Sequence, residues 1–240
     1  MDELRKPSIF FDGSDKDNSL KKGLVHLIGF GFDGTACFRK GARHGPMEIR
    51  NASYNIETYS PYLDRDTTEV DFVDLGDLPV KNSRDAASDW QKANDVFSPW
   101  LEKGMELSVK FLTLGGEHSV SYAPIVSYLR KYPDLVLLHL DAHGDFRDGY
   151  QGFKYSHASL MRRVWEHFGK GHRLIQYGIR SGTREEYRFM REKETLKYSL
   201  NEFIESVLDI SSEHPVYLTL DLDYFDPAYF PGTGTPEPGG

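Results

Sequence analysis

The sequence predicts an α/β fold: three layers, α-β-α, with a mostly parallel central sheet. Three observations carry this. Short Val/Leu/Ile-rich segments recur along the chain, the stretches between them are long enough for crossover helices, and residues able to do chemistry fall just after several of the apolar segments. The strands are expected at residues 24–30, 70–75, 109–114, 135–140, 173–179 and 216–222. Helices are expected at 86–105, 121–132, 157–167, 184–194 and 200–210, with Asn82 or Ser83 and Ser199 as N-caps. Pro133, Gly169 and Pro215 punctuate the ends that follow.

A chain of 240 residues buries one substantial core, so one domain is expected over 23–240. Residues 1–22 are polar and read as an arm whose apolar patch, Ile9 to Phe11, pins it to the surface. The last five residues read as the middle of a loop, so the chain is expected to stop short of its C-terminal segment. A 13% aromatic content argues against disorder, and a net charge of -8 disfavours nucleic acid while attracting a small cation. One cysteine, Cys37, makes neither an internal disulfide nor a thiolate metal cage, which fits a reducing, cytoplasmic compartment. Cys37 itself reads as a packed side chain and not a nucleophile. No stretch approaches the roughly 18 apolar residues that span a bilayer, so no membrane partner is expected.

The chemistry concentrates at three strand ends. Asp141, His143 and Asp145 alternate at i, i+2 and i+4, and in extended backbone such residues share one side of the chain. Asp221 and Asp223 repeat the spacing, and His118 follows a third strand through Gly115, Gly116 and Glu117. In an open α/β sheet the carboxyl ends of strands form the ligand crevice. A single aspartate in such a place is usually a cap or turn former; three clusters with ligand spacing are not. Crowded carboxylates repel unless cations intervene, and four aspartates at about -4 balance two divalent ions at +4. Oxygen and imidazole donors without sulfur suit Mn²⁺, with Zn²⁺, Co²⁺, Ni²⁺ or Fe²⁺ as alternatives. Two ions roughly 3.5 Å apart share and acidify a water, which predicts hydrolysis without a protein nucleophile. His139, deeper in its strand, reads as a hydrogen-bonded core histidine rather than a ligand.

These motifs resemble a known family. Gly115-Gly-Glu-His118-Ser119, Asp141-Ala-His-Gly-Asp145 and Asp221-Leu-Asp-Tyr-Phe-Asp226-Pro227 are similar to the three signatures of the ureohydrolases, the arginase and agmatinase family. The similarity extends to Gly41-Ala-Arg-His-Gly-Pro-Met-Glu-Ile-Arg50, Ser156-His157-Ala-Ser159, residues 178–186 and residues 231–240. It implies an arginase-like fold holding two Mn²⁺ ions. One would lie on His118, Asp141, Asp145 and Asp221, the other on His143, Asp141, Asp221 and Asp223, with Asp141 and Asp221 bridging. A shared hydroxide would attack a guanidinium carbon, releasing urea and an amine, with Asp145 in the catalytic centre and His157 shuttling a proton.

Residues 178–186 and the segment around His157 look more like the bacterial agmatinase branch, which implies agmatine as a small cationic guanidino substrate and putrescine as product. Arg147, Tyr150 and Phe153 would shape the pocket for its tail. The resemblance also implies a homo-oligomer, trimer or hexamer, and a guanidinium-contacting glutamate beyond Gly240; Glu237 precedes the glycine pair and does not match it. Rival readings are another ureohydrolase (arginase, guanidinobutyrase or formimidoylglutamase) and a noncatalytic metal-binding member. The fold-related zinc deacetylases use a tandem histidine pair, and no His-His occurs here.

Overall fold

The computed structural model describes residues 3–17 and 19–240, so the arm expected over 1–22 lies outside the described residues at positions 1, 2 and 18. The chain divides into two compact units, residues 1–34 with 41–120 and residues 35–40 with 121–240.

In the first unit the elements run β1 (Val25–Phe30), α1 (Gly45–Ser53), β2 (Tyr59–Ser60), β3 (Arg65–Asp66), β4 (Phe72–Asp77), α2 (Ala86–Glu106) and β5 (Lys110–Gly115). Parallel pairing gives the sheet order β4-β1-β5, while β2 and β3 form a small antiparallel hairpin. β1 is central and nearly wholly apolar, as a strand covered on both faces must be. Helix α2 is capped by Asp85, whose side chain accepts from the Ser88 N–H at 3.1 Å, and not by Asn82 or Ser83. Ser83 donates its backbone N–H to Asp89 instead, so it belongs to the turn ahead of the helix. The arm is held at its patch: Phe10 is buried, the Phe11 N–H donates to Asp74 at 2.8 Å, and Arg5 forms an antiparallel bridge with Asp77.

In the second unit they run α3 (Tyr122–Lys131), β6 (Val136–Leu140), α4 (Leu160–Trp165), β7 (Arg173–Tyr177), α5 (Arg184–Glu192), β8 (Leu196–Lys197), α6 (Leu200–Leu208) and β9 (Val216–Leu220). The four strands form a parallel sheet in the order β8-β7-β6-β9. Leu135 and Leu137 pack with Ile125, Leu129, Leu160, Met161, Val164, Leu174 and Met190 into one cluster, so helices α3, α4 and α5 are fixed to the strands by shared apolar burial. Ser199 caps α6 by accepting from the Glu202 N–H at 3.2 Å, as the sequence predicts. Strand order makes β6 a neighbour of both β7 and β9, which brings residues 141 and 221 to the same sheet edge: the Asp221 N–H donates to the Leu140 carbonyl at 2.9 Å. Among the described residues no helix is long and apolar enough to cross a membrane.

Candidate metal centre

His118 stands in the first unit directly after β5, opening a 3-10 turn, and is buried at 6% exposure. The chain reaches it through Gly115 and Gly116. A Cβ on Gly116 would overlap the Phe32 carbonyl, so only glycine lets this segment lie against that backbone. Beside it the Ser119 hydroxyl donates to Glu117 at 2.7 Å.

The other five predicted ligands belong to the second unit. Asp141 follows β6 and is buried; its Oδ1 accepts from the His143 N–H at 2.6 Å. The His143 ring turns the same way, with Nδ1 at 3.0 Å from Asp223 Oδ2 and 3.5 Å from Asp141 Oδ1. Asp223 is fixed from two further sides, by the Ala142 N–H at 3.2 Å and the Thr235 hydroxyl at 3.0 Å. Donor atoms of Asp141, His143 and Asp223 lie within 4.8 Å of one another, and so do those of His139, Asp141 and Asp145. Asp141 is common to both groups. Asp221 starts the turn after β9 and accepts from the Asp223 N–H at 3.1 Å.

Alternation holds from Asp141 to His143, where a parallel bridge to Ser181 keeps the backbone extended, and then ends. Asp145 adopts φ 55, a left-handed conformation that aspartate tolerates better than most residues, and a turn rather than extended spacing carries its side chain. The turn is held from α5. Thr183 and Glu186 form a reciprocal capping box at the start of that helix, and Glu186 Oε1 accepts the Phe146 N–H at 3.0 Å. That gives the 178–186 motif a physical purpose: one buried glutamate caps a helix and pins the loop that presents Asp145.

Spacing did not point to residues 223–240 as a strap over this edge. Arg180 donates to the carbonyls of Gly178, Asp223, Tyr224 and Glu237 at 2.7 to 3.1 Å, tying the last residues to the β7 loop. Glu237 Oε1 accepts from the Ser181 hydroxyl at 2.9 Å and lies 3.7 Å from His143 Nε2. Asp226 accepts from the Ala228 and Gly239 N–H groups at 2.8 and 2.6 Å, so it fixes the loop. His157 opens a 3-10 turn; its backbone N–H donates to Thr35 Oγ1 at 3.2 Å, its Nδ1 is 3.3 Å from the same oxygen, and the Tyr150 ring meets it edge-on at 5.7 Å. Tyr150 is held by a tight hairpin with Phe153, and the Arg147 guanidinium lies 4.9 Å over its ring.

Buried carboxylates and imidazoles with no thiolate are the donor chemistry of a hard to borderline divalent cation, so the residues present fit such an ion. Burial works against a charged ring, but hydrogen bonds to Asp141 and Asp223 outweigh it and hold the His143 pKa up to about 11. A raised pKa means the ring is charged below it, and a cation arriving at neutral pH must displace that proton. Apparent metal affinity is therefore expected to rise with pH between about 6 and 8, by up to about tenfold per unit from this one proton. Calorimetric Mn²⁺ titrations in buffers of different ionisation enthalpy read the proton directly; pH-independent affinity would sink the idea.

Residues 24–240 match the model of the arginase family. An agmatinase of Bacillus cereus is 38% identical over 224 residues, which are 92% of this chain and 75% of that protein. An N(1)-aminopropylagmatine ureohydrolase of Thermococcus kodakarensis is 38% identical over 227 residues, 92% of this chain and 74% of its own. The crystal structure of an agmatine ureohydrolase of Thermoplasma volcanium matches with TM-score 0.80 at 31% identity, covering 95% of this chain and 76% of that one. Three-layer α/β architecture with parallel sheets, expected from the sequence, is the fold class this likeness supports.

Proposed function

Because the chain belongs to the arginase family and is a ureohydrolase enzyme, we propose that it hydrolyses agmatine to putrescine and urea with two Mn²⁺ ions. The observation that carries the metal reading is that Asp141, His143 and Asp223 bring donor atoms within 4.8 Å of one another at one sheet edge, and the motif-based sharing of Asp141 between two cations is part of the proposal. The ligands carried over by motif are His118, Asp141, His143, Asp145, Asp221 and Asp223, within a ureohydrolase domain over 23–240. Bound there, two divalent cations supply Lewis acidity and acidify a water for attack on a guanidinium carbon.

The chain's own residues do the rest. Thr35 Oγ1 takes the His157 N–H and lies 3.3 Å from Nδ1, so that side of the ring is anchored and Nε2 is the atom that exchanges a proton with the departing amine. Tyr150 braces that ring edge-on. Agmatine has no α-carboxylate, so its tail needs no anion clamp, and Arg147 is engaged elsewhere, over Tyr150 and 3.9 Å from Glu186. Putrescine as product places the enzyme in polyamine synthesis. The lone cysteine and the family resemblance support a cytoplasmic homo-oligomer.

Urea release by the Mn²⁺-loaded chain, compared across agmatine, N(1)-aminopropylagmatine and arginine, tests the substrate. Agmatine is expected to give the largest kcat/KM, and a preference for arginine would overturn the assignment. In the same assay His157→Ala is expected to keep its metal while turnover falls about 10²-fold, the contribution of a positioned proton-transfer group. Unchanged turnover would remove His157 from the mechanism.

A further inference from the structure

The second unit holds a buried polar chain that runs away from the metal centre through the sheet. His139 on β6 is fully buried and lies opposite Gln176 on β7 in the strand register. Its Nε2 is 2.8 Å from Asp141 Oδ2, and its Nδ1 is 2.9 Å from Gln176 Nε2. The same Gln176 nitrogen is 3.4 Å from the Gly144 carbonyl, while Gln176 Oε1 accepts from the buried Thr195 hydroxyl at 2.8 Å.

These partners fix where the protons are. A carbonyl oxygen only accepts, so the Gln176 atom facing Gly144 is the amide NH₂, and the hydroxyl of Thr195 meets its oxygen. That NH₂ also faces His139 Nδ1, which must therefore accept. The one proton of the neutral ring then sits on Nε2 and points at Asp141 Oδ2. Asp141 Oδ1 is meanwhile held by the His143 N–H. Both carboxylate oxygens thus have assigned donors, and rotation of the group is fixed before any cation arrives.

We propose that Gln176, clamped by Thr195, is a positioning residue that locks His139 as an Nε2–H donor and so sets the Asp141 carboxylate for metal binding. The role rests on the reading of Asp141 as a metal ligand. Outer partners of this kind orient ligands, and their loss typically costs about 10- to 100-fold in metal affinity. Gln176 acts on the site through His139 and through the Gly144 carbonyl between His143 and Asp145, and Thr195 acts through Gln176, so their loss is expected to act on metal affinity and on kcat at limiting metal and to leave KM for the substrate unchanged.

The test uses the metal-free full chain with ¹⁵N-labelled histidine, followed by Mn²⁺ titration. Wild-type His139 is expected to show a protonated Nε2 and an unprotonated Nδ1. Gln176→Met is expected to weaken Mn²⁺ binding about 10- to 100-fold. Thr195→Val, which frees the amide to turn, is expected to weaken it in the same direction by a smaller factor, and Thr195→Ser restores it. Thermal melting of each metal-free variant separates this from loss of fold, and if Gln176→Met does not fold, the Thr195 pair and the wild-type tautomer decide. A wild-type proton on Nδ1 would overturn the proposal, as would Mn²⁺ affinity unchanged in folded Gln176→Met, or in folded Thr195→Val if that variant has to decide. A wild-type chain that binds no Mn²⁺ sinks the metal reading and this role with it. Failure to release urea from any guanidino substrate, with binding and tautomer as expected, sinks only the assigned reaction.

Discussion

Asp141→Asn is expected to lose metal and urea release together, with bound Mn²⁺ below about half of wild type and kcat/KM down about 10³-fold or more, beyond the 10- to 100-fold typical of outer partners. Two effects combine. Asparagine removes the charge that both donor groups share, and it turns one oxygen into an NH₂. That NH₂ faces either the His139 Nε2–H or the His143 backbone N–H, donor against donor in both orientations. Volume is unchanged and a buried charge is gone, so the metal-free fold is expected to survive, and melting of that form separates site damage from unfolding. Asp221→Asn is expected to behave alike if Asp221 is the second bridging ligand. Metal analysis beside a urea assay reads both quantities, and full metal content in the two variants would refute the bridging assignment.

Periodicity located six strands and five helices within about three residues because those segments carry their burial pattern locally. The elements missed lack such a pattern. Helix α1 opens on Gly45-Pro46, which reads as a loop although proline suits the first turn of a helix, and its inward face includes a charged residue, Arg50. Strands β2, β3 and β8 are two residues each, too short for alternation to register. In the site, residue types at strand ends announced a metal centre, since Asp141, His143 and Asp223 acquire their nearness from strand order. What spacing could not supply was partners distant in sequence. Gln176 behind His139, Glu186 beneath the Asp145 turn, and Thr235 and Glu237 over Asp223 and His143 are joined only by tertiary structure. The left-handed backbone at Asp145 is likewise imposed by its surroundings, since no glycine stands at that position to signal it.

Arg50→Met is expected to destabilise the first unit by about 3 kcal/mol, the low end of the 3–5 kcal/mol typical when one partner of a buried ion pair is removed. Arg50 is fully buried. Its Nε and Nη2 meet the two oxygens of Asp74, also fully buried, at 2.7 and 2.8 Å, and Nη1 meets Asp77 at 2.7 Å. Methionine keeps most of the volume, so the cost is chiefly the charge stranded on Asp74 and not a cavity. The low end applies because Asp74 keeps two backbone donors, the N–H groups of Phe11 at 2.8 Å and Gly76 at 3.0 Å. The Phe11 donor also ties the arm to this carboxylate, so the same substitution is expected to loosen residues 10–12 and expose their amides to exchange. Adding Asp74→Asn to Arg50→Met removes the stranded charge and is expected to recover part of the loss, whereas Asp77→Asn alone costs less because that side chain is 30% exposed. Denaturant midpoints at constant slope read the differences. A change below about 1 kcal/mol in Arg50→Met would mean that Asp74 is satisfied without its arginine, and that the backbone amides alone hold the charge.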